Sequence, residues 1–169
     1  MFTCLPLYLT TMKILVLGLG NILLQDEGLG CRVIERLQSE YIFPAEVTVL
    51  DGGTLGLDLL GLIEDSARVI IIDALRSNLA PGALMRLCNQ DIPAFLGPKM
   101  SPHQIGLQDL LGLAMLRGKF PDEVILLGAQ LAQLEPGLEL SPALSAQVEP
   151  LCARVVDELA RWDVRVVKK

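Results

Sequence analysis

Short β-branched runs alternate along most of this chain with segments of helical period. Residues 13–19 (KILVLGL) form a nearly unbroken apolar run that ends in glycine. That is the pattern of a central strand covered on both faces. Residues 28–41 then place Leu29, Val33, Ile34, Leu37 and Tyr41 on one helical face, with Asp26 and Glu27 at its positive end. Residues 47–51 predict a second strand closed by Gly52, Gly53 and Thr54, and 55–64 predict a helix. Residues 67–74 (ARVIIIDA) are the clearest buried strand.

A fourth strand is expected over 82–89, followed by a loop punctuated by Pro93, Pro98 and Pro102. Helical spacing returns over 104–117, a strand over 123–129, and a loop over 130–140. Ser141 opens a last helix running to about Trp162, with Pro142 at its favoured first position. The whole predicts a single α/β domain, doubly wound, with about five mostly parallel strands and helices on both faces. The domain is drawn over 12–165. Residues 1–11 are apolar but lack a signal peptide's basic start and cleavage site, and Pro6, Thr10, Thr11 and Lys13 cut them too soon for a membrane span. They read as an N-terminal extension or a misassigned start.

Composition narrows the partners. Lys and Arg number 14 against 20 Asp and Glu, a formal charge of −6, the wrong sign for neutralising phosphates along a duplex. Aromatic residues make up 4%, a poor basis for stacking on bases. Nucleic acid and membrane are therefore not expected as partners. Cys4, Cys31, Cys88 and Cys152 form no CxxC pair, which excludes a thiolate zinc site and a small disulfide scaffold and points to a reducing cytoplasm.

In doubly wound sheets the binding crevice lies beyond the carboxyl ends of the strands. Three polar clusters fall there: residues 21–27 after the first strand, Asp51 after the second, and Asp73 after the third. A dinucleotide fingerprint starting at Gly18 and Gly20 fails at its third glycine, where Leu23 stands, and Asp26 and Glu27 would repel a pyrophosphate. The proline-bracketed loop carries His103, the chain's single histidine. Each of Glu27, Asp73 and His103 alone has an ordinary structural explanation. Together, from three loops at one edge, they make a mixed oxygen and nitrogen donor set suited to a borderline divalent ion such as nickel or zinc. Three protein ligands leave coordination positions open. Asn21 and the turn Asp51, Gly52, Gly53 and Thr54 line the same edge as candidate substrate contacts, the alternative being a tight turn that needs glycine for positive φ.

Four segments, GLGNILLQDEGLG (18–30), DGGTLGLDLL (51–60), IIIDAL (70–75) and SPHQIGLQDLL (101–111), closely resemble the hydrogenase maturation proteases. The resemblance runs in order from Met12 to Trp162. It implies a five-stranded α/β fold and an endopeptidase that removes a C-terminal extension from the precursor of the nickel-iron hydrogenase large subunit after nickel insertion. It also implies that Glu27, Asp73 and His103 contact the metal and carry catalysis. No permanently bound cofactor is expected: the nickel arrives with the substrate, and zinc or cadmium can occupy the site in vitro. Two mechanisms stay open, metal docking with carboxylate base catalysis and an aspartyl-protease-like carboxylate dyad. The alternative function is a nickel-sensing escort that binds the precursor without cutting it.

Overall fold

The computed structural model describes residues 12–89, 91–92 and 106–169; residues 1–11 and His103 lie outside them. The first strand, β1 (Ile14–Leu19), is buried along its whole length. It leads through a 3-10 turn (Gln25–Gly28) into α1 (Leu29–Glu40). There follow β2 (Tyr41–Ile42), β3 (Val47–Gly53), a 3-10 turn (Gly56–Leu59), α2 (Leu60–Glu64), β4 (Arg68–Leu75) and β5 (Leu84–Cys88). The described chain resumes with α3 (Leu107–Leu116) and β6 (Glu123–Gln130). It closes with α4 (Pro142–Ser145), α5 (Val148–Arg161) and β7 (Val167–Lys168).

The main sheet has the order β3-β1-β4-β6-β5, parallel throughout except for β5, which runs antiparallel to β6. Alternation along each strand divides the core in two. Val16, Ile70, Ile72 and Leu127 face α1 and α5, meeting Val33, Ile34, Leu151 and Val155. Leu17, Val69, Ile71 and Leu126 face α2 and α3, meeting Ile63, Leu110 and Leu111. Both faces are covered, which is why the strands read as continuous apolar runs rather than alternating ones.

Three details depart from the sequence expectation. The final helix is two helices, broken at Ala146 and Gln147. Pro150 has no N–H to return to the carbonyl of Ala146 and its ring would crowd that group, so the helix restarts with Pro150 in its first turn. The helix expected over 55–64 begins as a 3-10 turn. A small antiparallel ladder of β2 with β7, beyond residue 165, was not foreseen, because two-residue strands carry no readable period. Among the described residues Cys31, Cys88 and Cys152 are unbridged, and no helix is long and apolar enough to cross a membrane.

Candidate functional site

The chain winds from β1 outward to β3 and then back past β1 to β4, so the winding reverses between β1 and β4. In this architecture such a reversal is where the binding crevice forms, beyond the carboxyl ends of the strands. Glu27 and Asp73 flank it. Glu27 sits in the 3-10 turn after β1, and that turn packs against β4. Asp73 is the sixth residue of β4, opposite Gly128 of β6.

Glycines make this arrangement compact. Gly20 leaves β1 with φ +131°, and a Cβ there would drive into the carbonyl of Glu27. A Cβ on Gly30 would collide with the carbonyls of Leu19 and Ile72, so the first turn of α1 rests directly on the ends of β1 and β4. The loop between them is held by short bonds. Asn21 N donates to the Glu27 carbonyl at 3.2 Å, and Leu23 N donates to Asn21 Oδ1 at 3.0 Å. Asn21 thus shapes the turn that presents Glu27.

The two adjacent acids of this turn have opposite fates. Asp26 is fully buried. Its carboxylate accepts from Ser141 N at 2.7 Å, Gln133 N at 2.8 Å, Ala132 N at 3.0 Å and Ser141 Oγ at 3.0 Å. Burial by itself would raise the Asp26 pKa. The Ser141, Gln133 and Ala132 amides and the Ser141 hydroxyl outweigh it, so the carboxyl lies below the ordinary range and stays charged. Asp26 is therefore spent on the segment after β6 and offers no partner to a catalytic dyad with Glu27. Glu27 is half-buried, and no described residue donates to its carboxylate.

Asp73 is also half-buried, and its Oδ1 accepts from Ala74 N at 2.8 Å. Alternation points Asp73 toward the α2 and α3 side, with Val69, Ile71 and Leu75. On β3, Asp51 is exposed and its Oδ1 accepts from Gly53 N at 2.9 Å. Gly53 has φ +45° and its carbonyl accepts from Gly20 N at 3.0 Å, tying the two loops together. Gly52 is buried where a Cβ would press on Leu17 at 2.7 Å, so packing rather than backbone conformation excludes a side chain there. Thr54 is exposed. Beneath this turn the Cys31 thiol contacts the Gly20 carbonyl at 3.6 Å. Burial, and then the neighbouring Asp51 carboxylate, push its pKa up to about 12, which keeps it protonated and chemically quiet.

Glu27, Asp73 and Asp51 thus meet one sheet edge, with Asn21, Gly52 and Thr54 beside them. Among the described residues no three His, Cys, Asp or Glu side chains converge to hold a metal; the third member of the expected donor set is His103. The Asp26 anchor is the feature that sequence reading missed. Its partners lie 106 to 115 residues away, and no local signal announces them.

Known proteins share this fold and much of this sequence. The family model described as hydrogenase maturation protease, HycI, matches residues 31–158. The chain is 42% identical over 159 residues to hydrogenase 2 maturation protease of Escherichia coli (strain K12), covering 94% of this chain and 97% of that protein. It is 42% identical over 158 residues to the hydrogenase expression/formation protein HupD of Rhodobacter capsulatus, covering 92% of this chain and 75% of that one. The fold superimposes on the hydrogenase maturating endopeptidase HybD from E. coli with a TM-score of 0.88, over 94% of this chain and 98% of that one at 42% identity. HybD from Thermococcus kodakarensis matches at 28% identity with a TM-score of 0.68, over 88% and 99% of the two chains. Identity at this level over nearly the full length, joined to the same fold, makes the chain a peptidase of the hydrogenase maturation protease family.

Proposed function

We propose that this peptidase cuts a C-terminal extension from the precursor of a nickel-iron hydrogenase large subunit after nickel has been inserted, and that Glu27, Asp73 and His103 contact the metal. The observation that supports this most is the pair of half-buried carboxylates at the β1/β4 switch point, with the Glu27 carboxylate unclaimed by any described residue. Two anionic oxygen donors and an imidazole suit a divalent transition ion carried in by the substrate. The absence of cysteine from that set leaves the substrate's own ligands in place. Asn21, Asp51, Gly52 and Thr54 supply the wall along which the precursor lies.

The reaction is the addition of water across one peptide bond, with hydroxyl to the carbonyl carbon and a proton to the leaving amine. The substrate's metal ion draws electron density from a nearby water or carbonyl oxygen. Glu27 or Asp73, whichever carboxylate is not fully engaged by the metal, accepts the water's proton and returns it to the leaving nitrogen. Asp26 holds the loop that carries Glu27 and takes no part in proton transfer.

Mass spectrometry of a candidate precursor, with and without nickel, tests this reading. Incubation with a small fraction of an equivalent of enzyme is expected to shorten only the nickel-loaded precursor, over many turnovers. His103→Ala and Glu27→Gln should each reduce the rate by about 100-fold or more. Binding without shortening would identify an escort, and near-normal cleavage by His103→Ala would remove the metal-docking role.

A further inference from the structure

Thirteen large apolar side chains of the described residues are left exposed to water. Seven of the thirteen large exposed hydrophobic residues in the described chain lie on loops leaving the carboxyl ends of the parallel strands. Ile22 is 43% exposed and Leu23 61%, after β1; Leu55 is 52% and Leu57 49%, after β3; Leu79, Leu134 and Leu138 follow β4 and β6. At the opposite end exposed Met12, Ile42, Met115 and Leu116 are scattered among Asp65, Arg117, Lys119 and Asp122.

These loops are held, not frayed. Gly20 N donates to the Gly53 carbonyl at 3.0 Å, joining the β1 loop to the β3 loop. Gly137 N donates to the Leu23 carbonyl at 2.9 Å, and Gln25 N donates to the Gly137 carbonyl at 2.9 Å, joining the β1 loop to the segment after β6. Backbone bonding thus fixes Ile22 and Leu23, on the loop that ends in Glu27, next to Leu55 and Leu57 on the β3 loop joined to it. A soluble monomer seldom concentrates exposed apolar groups unless something covers them.

We propose that Ile22, Leu23, Leu55 and Leu57 form an apolar collar along the β1 and β3 side of the acidic crevice, and that this collar docks the folded precursor on a surface where apolar side chains lie beside a cationic centre. The inference rests on the proposed function and deepens it by assigning recognition to residues outside the chemistry. Charge complementarity selects the occupant. Glu27, Asp51 and Asp73 lie at the same sheet edge as the collar and Asp58 lies on its β3 loop, in a chain with a net charge of −6. A partner must therefore set an apolar patch beside a positive group, as a metal-loaded protein surface does. A second copy of this chain would set acid against acid.

Leu23→Gln and Leu57→Gln in the full chain test this, with Leu116→Gln as control at an 85% exposed position at the end of α3. The amide replaces an apolar end with a polar one of similar bulk and leaves charge unchanged. Two readouts are needed, the Kd of nickel-loaded precursor and the KM and kcat of its cleavage. Each collar variant is expected to raise Kd and KM about tenfold, with kcat within about threefold, Tm unchanged, and the control at the wild-type value. Unchanged Kd in both collar variants would overturn the proposal. So would a wild-type dimer that the collar variants dissociate while precursor affinity is unaltered. If the wild type binds precursor but does not cut it, the proposed function fails and the Kd series still decides the collar.

Discussion

The Asp26 carboxylate accepts from both the backbone and the hydroxyl of Ser141, at 2.7 and 3.0 Å, across 115 residues of chain. Ser141 also accepts from Leu144 N at 3.3 Å, so one side chain caps α4 and fastens it to the loop after β1.

Replacing Asp26 by Asn turns an amide NH2 toward donors that need an acceptor. Each hydrogen bond to a charged group contributes about 1.5–3 kcal/mol, and losing two should lower Tm by roughly 6–24 °C in a domain of this size. Ser141→Ala should cost about 1 kcal/mol. Thermal melts followed by circular dichroism check both values and their order.

The same carboxylate gives the fold an acid-side weakness. Its pKa is depressed below the ordinary 3.8 in the folded protein, so the stability it contributes is complete above that value. It is lost as pH falls from there toward the folded pKa. Urea midpoints measured from pH 6 downward should drop below about pH 4, and less steeply in Asp26→Asn than in the wild type.

Glycine at 20 is a requirement and glycine at 61 is not. Gly20→Ala combines φ +131° with a collision at the Glu27 carbonyl, a strain of about 1–3 kcal/mol. The variant should relieve it by shifting the Glu27 turn, so precursor cleavage should fall further than Tm alone explains. Gly61, in α2, has nothing within 4 Å of an added Cβ. Gly61→Ala should stabilise by about 0.5–1 kcal/mol, with cleavage unchanged.

Two thiols should resist alkylation. Burial pushes Cys31 and Cys152 up to about 12, which leaves almost no thiolate at pH 8. Half-buried Cys88 is the accessible contrast. Peptide mapping after iodoacetamide treatment of native protein should find label at Cys88 and none at Cys31 or Cys152 until denaturant is added.

Arg86 on β5 donates to Glu158 of α5 from Nε and Nη2 at 2.5 and 3.1 Å, and Arg161 adds a third bond at 3.0 Å. Glu158 is only 6% exposed. Arg86→Ala leaves that carboxylate with Arg161 alone and should destabilise by about 1.5–3 kcal/mol, measurable by urea unfolding.

What could be read from the sequence was whatever depends on local pattern. The β1 and β4 runs are apolar because both faces are covered, and the sheet edge where Glu27 and Asp73 emerge followed from that. Long-range polar pairings were silent. Asp26 and Glu27 are neighbours in sequence and both acidic, and only the fold shows one buried under four hydrogen bonds and the other unclaimed by any described residue. The break at Ala146 was also hidden, because amphipathic spacing continues through Leu144, Val148 and Leu151 while a single proline enforces the restart.

The anchor at Asp26 also couples two strands that are not neighbours. In the strand order, β4 lies between β1 and β6, and the Asp26 bonds join the loop of β1 to the segment after β6, bridging past β4. Both segments continue into helices on one face, α1 and α5, so the bridge lies on that flank. Asp73 points to the opposite flank. The ends of β1 and β6 are thus coupled across β4 on one side of the sheet, while Asp73 belongs to the other.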